Sequence, residues 1–344
     1  MKGRVVVLGH WAGREAAALV EDGVLEDLFV PPPEDRPAPG TIFRAIVERP
    51  VKGQGGVFVR LPEGTGFLRQ GLALRPGAGV LVQVTGFAEP GKAVPVTDRL
   101  LFKSRFAIVT PGDPGLNLAR SIREPERRAV LGALAAGVAD ALPEGAGLIL
   151  RSAAEAADDA AVADDIRAMA DAARAVASDP GSGRERLLDG PTPAELAWRD
   201  WPEPDELAEG AGAFATHGVD TMIEELRSPR VALPGGGTMF VEATRALVAV
   251  DVNTGGDTSP AAGLRANLGA TRALPRALRC RGLGGQVAID FAPISKKDRR
   301  AVEQALQAAF RADPVETALA GWTPLGHFEL QRKRERLPLG EALR

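Results

Sequence analysis

Two apolar runs each end in an aspartate, and they limit what this chain can fold into more than any other feature. ALVAVDVNTGG carries Asp251, and GGQVAIDF carries Asp290. The two aspartates lie 290 − 251 = 39 residues apart, with a helical stretch at about 261–279 between them. A strand, a helix and a second strand at that spacing make a crossover joining nearby parallel strands. Ligands collect outside the carboxyl ends of such strands, so both side chains fall where chemistry is usually done. Two carboxylates brought close repel each other, and a divalent cation is their natural counter-charge. Spacing alone leaves a plainer alternative open, in which each aspartate caps a helix or begins a turn.

Composition narrows the classes. The chain has 344 residues, 45% apolar and 25% charged, enough for two or three domains with real cores. It has no apolar run long enough to span a membrane, and MKGRVVVLGHWAGRE reads as a first strand rather than a signal peptide. Cys280 is the only cysteine, so a cytoplasmic location is expected. One cysteine and three scattered histidines (His10, His217, His327) argue against zinc and for a hard cation on oxygen ligands. Net charge is −3, but base concentrates at 296–300 and 332–336, and nucleic-acid binding needs a local basic face rather than a basic total.

Turn residues and periodicity divide the chain further. Residues 1–38 read as a strand (4–8), a short helix (Glu15–Gly23) and a proline-rich connector. Five short strand-like runs in 39–100 suggest a small barrel, and an OB-fold is the commonest nucleic-acid binder of that kind. Helices at Glu124–Ala141 and about 153–177 flank a strand at Gly147–Leu150 in an α/β region, 101–177. The segment 178–215 reads as linker. From 216 to 344 strands and helices alternate, with helices at Val219–Leu226 and about Lys296–Ala312, which implies a layered α/β domain.

Longer words then carry a resemblance. GGGTMFVEATRALVAVDVNTG (235–255), ANLGATRALPRALRCRGLGGQVAIDF (266–291) and LGHFELQRKRERLPLGE (325–341) occur in order and resemble the ribonuclease E/G family. The resemblance implies a multidomain α/β architecture: an OB-fold-like small β-barrel inserted near the N-terminus, an α/β phosphate-sensor-like domain, and a C-terminal DNase I-like α/β catalytic domain. Residues 1–38 would be a remnant of an RNase H-like layer, and 178–215 its trimmed second half. It implies a magnesium-dependent endoribonuclease acting on single-stranded RNA, with Asp251 and Asp290 binding Mg2+ and Asn253 orienting the site.

RAIVERPVKGQGGVFVRLPEGTGFL (44–68) is similar to the family's RNA-binding barrel, which places Phe58 and Phe67 on base-stacking aromatics and Lys92 on an RNA-binding lysine. Phe58 and Phe67 could equally be barrel core. GLILRSA places Arg151 and Ser152 on a pocket for a 5′-monophosphate, an arrangement that suits phosphate oxygens. Ser104 stands where that pocket has a glycine and could narrow it, with its backbone partner at Ile108. KKDRR and QRKRER are the best remaining phosphate contacts, Lys296 and Arg299 above all, against a plain reading as solvated surface.

The departures are specific. No CPxCxG word occurs before Arg344, which leaves room for a homodimer but not a zinc-linked tetramer. Gly269 replaces a glutamate, and Glu316 stands near an expected basic residue. The competing expectations are a non-catalytic RNA-binding paralogue and a DNA nuclease using the same carboxylates.

Overall fold

The computed structural model describes residues 2–51, 55–69, 74–89 and 91–342. The chain divides into two compact units, one of residues 34–202 and one of 1–33 together with 203–344.

The chain opens with a meander of β1 (Arg4–Trp11), β2 (Arg14–Glu21) and β3 (Val24–Phe29). The helix expected at Glu15–Gly23 is therefore a strand. Ala12–Gly13 and Asp22–Gly23 all take left-handed φ, +52°, +79°, +48° and +80°. Two consecutive left-handed residues make the two-residue hairpin turn that matches strand twist. Pairing of Trp11 with Arg14 and of Glu21 with Val24 follows. Two tight turns override the helical preference of the alanine run.

In the 34–202 unit, β4 (Ile42–Val51), β5 (Gly56–Leu61), β6 (Gly64–Arg69), β7 (Gly79–Val84) and β8 (Val94–Thr97) close into a five-stranded barrel. The order is β4-β5-β6-β8-β7, with β7 pairing back to β4 and β6 parallel to β8. This is OB-like connectivity. Alternation sends Phe43, Val57, Val59, Leu68 and Val82 inward. A second sheet contains β9 (Phe102–Lys103), β10 (Ala107–Thr110), β11 (Gly115–Leu118) and β12 (Gly147–Leu150), in the order β11-β12-β10-β9. Helices α1 (Pro125–Gly137) and α2 (Asp159–Ala177) cover it through Leu131, Val162 and Ile166. The Asp158 side chain accepts from the amides of Ala160 and Ala161 to start α2.

The segment read as linker is structured. β13 (Glu185–Leu188) adds to β4, and α3 (Pro193–Asp200) begins with a capping box between Thr192 and Glu195. In the other unit, β14 (Glu206–Glu209) runs parallel to β1, giving the sheet β14-β1-β2-β3. Short helices α4 (Ala213–Thr216) and α5 (Val219–Leu226) pack on that sheet through Phe214, Val219 and Ile223.

That same unit contains a second sheet, ordered β15 (Arg230–Ala232), β16 (Thr238–Ala243), β17 (Val248–Asn253), β18 (Gly285–Asp290), β20 (Phe328–Arg332), β19 (Thr317–Trp322). Helices α6 (Ala262–Cys280) and α7 (Lys296–Ala312) cover one face, burying Leu274, Leu278, Val302 and Leu306 against Val248, Val250, Val287 and Ile289. A short α8 (Leu339–Ala342) follows. β17 and β18 are the parallel pair, with α6 as their crossover.

Candidate active site

Asp251 and Asp290 are register partners on β17 and β18. Partners on adjacent strands share a pleat, so their side chains leave the same face, on strands roughly 4.8 Å apart. The neighbouring valines and isoleucine point the other way into the helix-covered core, and both aspartates are exposed. Neither caps a helix: the residue capping α6 is Ala261 and that capping α7 is Ser295. Asn253, two residues on, shares the aspartates' face, and its Nδ2 donates to Asp251 Oδ2 at 2.7 Å. Among the described residues there is no cluster of three or more histidine, cysteine or acidic side chains that could hold a metal. Two carboxylates completed by water suit magnesium, which keeps most of its hydration shell, so the donor set fits that ion.

Asn267 on α6 fixes the backbone beyond Asp290, a role the sequence reading missed. Its buried amide accepts from Ala292 N at 3.0 Å and donates to Ala292 O at 2.9 Å. Beside Asn253 opens a cleft of about 340 Å³ lined by Gly235, Gly236, Gly237, Gly255 and Arg265. Gly237 has φ +87°, and a Cβ there would lie 2.5 Å from Asn253 O. Only glycine fits.

On the barrel, Phe58 and Phe67 face each other across β5 and β6, ring centroids 5.7 Å apart and edge to face. Both are half-buried and alternate with the inward Val57, Val59 and Leu68, so they lie outside the barrel core. Lys92 is exposed in the loop before β8 and pairs with Glu89 at 2.7 Å.

The two basic words separate. Lys296 is exposed in the first turn of α7, and the Arg299 guanidinium stacks 4.6 Å from the Trp322 ring centroid. QRKRER, in contrast, is partly internal. Alternation on β20 sends Phe328, Leu330 and Arg332 inward, where Arg332 meets the fully buried Asp313 at 2.9 Å. Arg336 pairs with buried Asp27 on β3. These two arginines are structural ion pairs, so their expected phosphate role is withdrawn.

Arg151, at the end of β12, is heavily engaged. It donates to the carbonyls of Ser104, Arg105 and Arg199 and pairs with Asp200 at 3.0 Å. Ser152 is exposed at the start of a 3-10 turn. Ser104 turns its hydroxyl to Asp165 at 2.5 Å. Asp200 also receives Arg199 at 2.6 Å and Lys103 at 3.2 Å. Burial would raise its pKa, but the Arg199 hydrogen bond and the charges of Arg199, Lys103 and Arg151 overrule this and hold it at about 2.

Residues 205–335, which contain the paired aspartates, match the model of the Ribonuclease E/G family. Similarity continues beyond that segment. Ribonuclease E of Nostoc sp. is 27% identical over 86% of this chain. Residues 205–335 thus carry the ribonuclease E/G family match, and most of the chain is similar to ribonucleases E and G. Ribonuclease G of Haemophilus influenzae is 26% identical over 95% of the chain and 78% of its own length. Ribonuclease G of Salmonella typhimurium reaches 36%, over 36% of the chain and 26% of its own length. The chain spans about half the length of the Nostoc relative, 51%. The departures from the family words have local settings here. A Cβ on Gly269 would lie 2.9 Å from Pro234 O, so the glycine lets α6 approach the turn before β16. Glu316 is exposed, and its carbonyl accepts from Lys333 N. No helix is long and apolar enough to cross a membrane among the described residues.

Proposed function

We propose that this chain is an endoribonuclease that cuts single-stranded RNA at a magnesium ion held by Asp251 and Asp290. The observation that carries the reading is their pairing in register on parallel strands. A sheet with helices on one face and paired carboxylates on the other also supports a DNase I-like catalytic layer. Bound there, magnesium supplies Lewis acidity to a phosphoryl oxygen and lowers the pKa of a coordinated water.

The chain's own residues do the positioning. Asn253 holds one oxygen of Asp251, and Asn267 keeps the segment after Asp290 from shifting. Lys296 and Arg299 offer cations to the RNA backbone. Phe58 and Phe67 offer an outward aromatic pair on which bases of any identity can stack, with Lys92 beside the same strand set. Positioning and fixed charge supply most of the acceleration in phosphoryl chemistry.

A fluorescent single-stranded oligoribonucleotide tests the reading. Wild type should cut it with magnesium, and Asp251→Asn and Asp290→Asn should each lose cutting while still binding RNA. Binding without cutting by wild type would make the chain a non-catalytic RNA-binding relative. Equal cutting of the DNA version would make it a general nuclease, since the 2′-hydroxyl is what separates the two backbones.

A further inference from the structure

We propose that the ring of His327 donates a hydrogen bond to the scissile phosphate from the Asp290 side of the site, a catalytic contact supplied by the start of β20. The contact deepens the nuclease reading and takes its chemistry from it.

Register carries the placement. β18 and β20 pair antiparallel from Gly285 with Arg332 to Ile289 with Phe328. One further step along the same register sets His327 opposite Asp290. The end of β19 holds the backbone there: Thr323 N donates to His327 O at 2.7 Å, and His327 N donates to Thr323 Oγ1 at 3.1 Å. Pro324, Leu325 and Gly326 make the turn between them, and Gly326 takes φ +98°, where glycine is favoured.

The face follows from the neighbour. Phe328 is fully buried in the helix-covered core. Alternation therefore turns the preceding residue to the opposite face, the one that Asp251 and Asp290 share. Directly opposed residues have Cβ atoms roughly 5 Å apart, so His327 and Asp290 border one patch of that face.

The chemistry across this row of strands is lopsided. Beyond Asp251, its register partner on β16 is Phe240, whose ring has no N–H. The Asn253 amide already donates to Asp251. His327 is half-buried, and among the described residues neither of its ring nitrogens has a hydrogen-bond or ion-pair partner. The other histidines are elsewhere: His10 is on β1, and His217 lies 3.9 Å from Glu206. A neutral imidazole keeps one ring N–H, so the contact requires no added proton. As water adds to phosphorus, charge builds on the phosphoryl oxygens, and a fixed donor holds that charge without having to reorganise. No bond to His327 forms or breaks.

Single-turnover cutting of a fluorescent oligoribonucleotide by the full chain with magnesium tests this. Two measurements accompany it: RNA affinity by anisotropy with calcium in place of magnesium, and Mn2+ uptake by electron paramagnetic resonance. His327→Ala should cut about 100-fold more slowly, the usual loss for one donor to developing charge. Its RNA affinity and Mn2+ uptake should stay within threefold of wild type. His327→Gln, which keeps an N–H donor, should cut at least tenfold faster than the alanine variant. In wild type labelled with 15N-histidine, the ring signal that is missing from His327→Gln should shift when RNA binds with calcium. That signal is read on wild type, so it does not depend on how the variants fold. Cutting by His327→Ala within threefold of wild type overturns the proposal, as does a glutamine variant no faster than alanine. Loss of Mn2+ uptake in His327→Ala also overturns it, since the ring would then be a ligand of the ion. If wild type cuts nothing, the nuclease reading fails and the ring signal decides alone: a shift keeps His327 as a phosphate contact, and an unmoved signal overturns it.

Discussion

Removing the Asn267 amide should loosen the segment that carries Asp290 without touching the aspartate itself. The side chain is fully buried and makes two hydrogen bonds to one residue, 3.0 Å from Ala292 N and 2.9 Å to Ala292 O. In Asn267→Ala, one buried N–H and one buried C=O lose their partner. Each such group costs roughly 1–3 kcal/mol, so about 2–6 kcal/mol of local stability should go. The lower end already corresponds to about 30-fold more frequent opening. Hydrogen exchange across residues 286–294 reads this directly, with the Ala292 amide as reporter. Exchange there should rise by at least that factor, and magnesium affinity should fall while Asp251 and Asp290 remain in place. Exchange within threefold of wild type would show that the amide does not hold the segment.

Three other outcomes follow from particular contacts. Asp313→Ala leaves the buried Arg332 without its acidic partner, while Arg279 keeps Glu26 and Asp27, and should cost roughly 3–5 kcal/mol in urea unfolding; a loss under about 1 kcal/mol would mean that the Arg332 pair contributes little. Phe58→Ala and Phe67→Ala should each weaken oligonucleotide binding by about 1–3 kcal/mol in fluorescence anisotropy with little change in stability, since both rings lie outside the barrel core; the reverse pattern would return them to a packing role. Asp200 has a folded pKa of about 2 against an ordinary 3.8, so its stabilising contribution is present above pH 3.8 and is lost as pH falls through about 2. The stability gap between wild type and Asp200→Asn should therefore be constant from neutral pH to about 4 and close below that; a gap that opens on acidification would contradict the assignment.

Much of the fold was legible where one periodicity ran unbroken. The amphipathic pattern of Lys296–Ala312 and Val219–Leu226 marks those helices to the residue, because their polar and apolar faces are both long and clean. β2 was misread because its alanines favour helix, while the information that decides it lies in two flanking turns of two residues each. The 178–215 stretch looked like linker because β13 and β14 have four residues each and gain their stability from β4 and β1, far away in sequence.

The candidate site shows the same division. Asp251 and Asp290 stand out because a strand and its terminal acid are local signals, whereas Asn253 was marked only by the family resemblance. The inward turn of Arg332 was present in the alternation of Phe328, Leu330 and Arg332, but a run of charge masked it. Its partner Asp313 is 19 residues away. Asp200 offered no local signal, since Lys103 and Arg151 approach it from 97 and 49 residues away in the chain.

The claim underlying the proposed function is that two remote acids grip one hard dication, and Mn2+ bound in place of Mg2+ and followed by electron paramagnetic resonance reads it most directly. Wild type should take up one ion at this site, and Asp251→Asn and Asp290→Asn should each lose that same ion. Uptake unchanged in either variant, or two ions lost one at a time, would contradict a shared site.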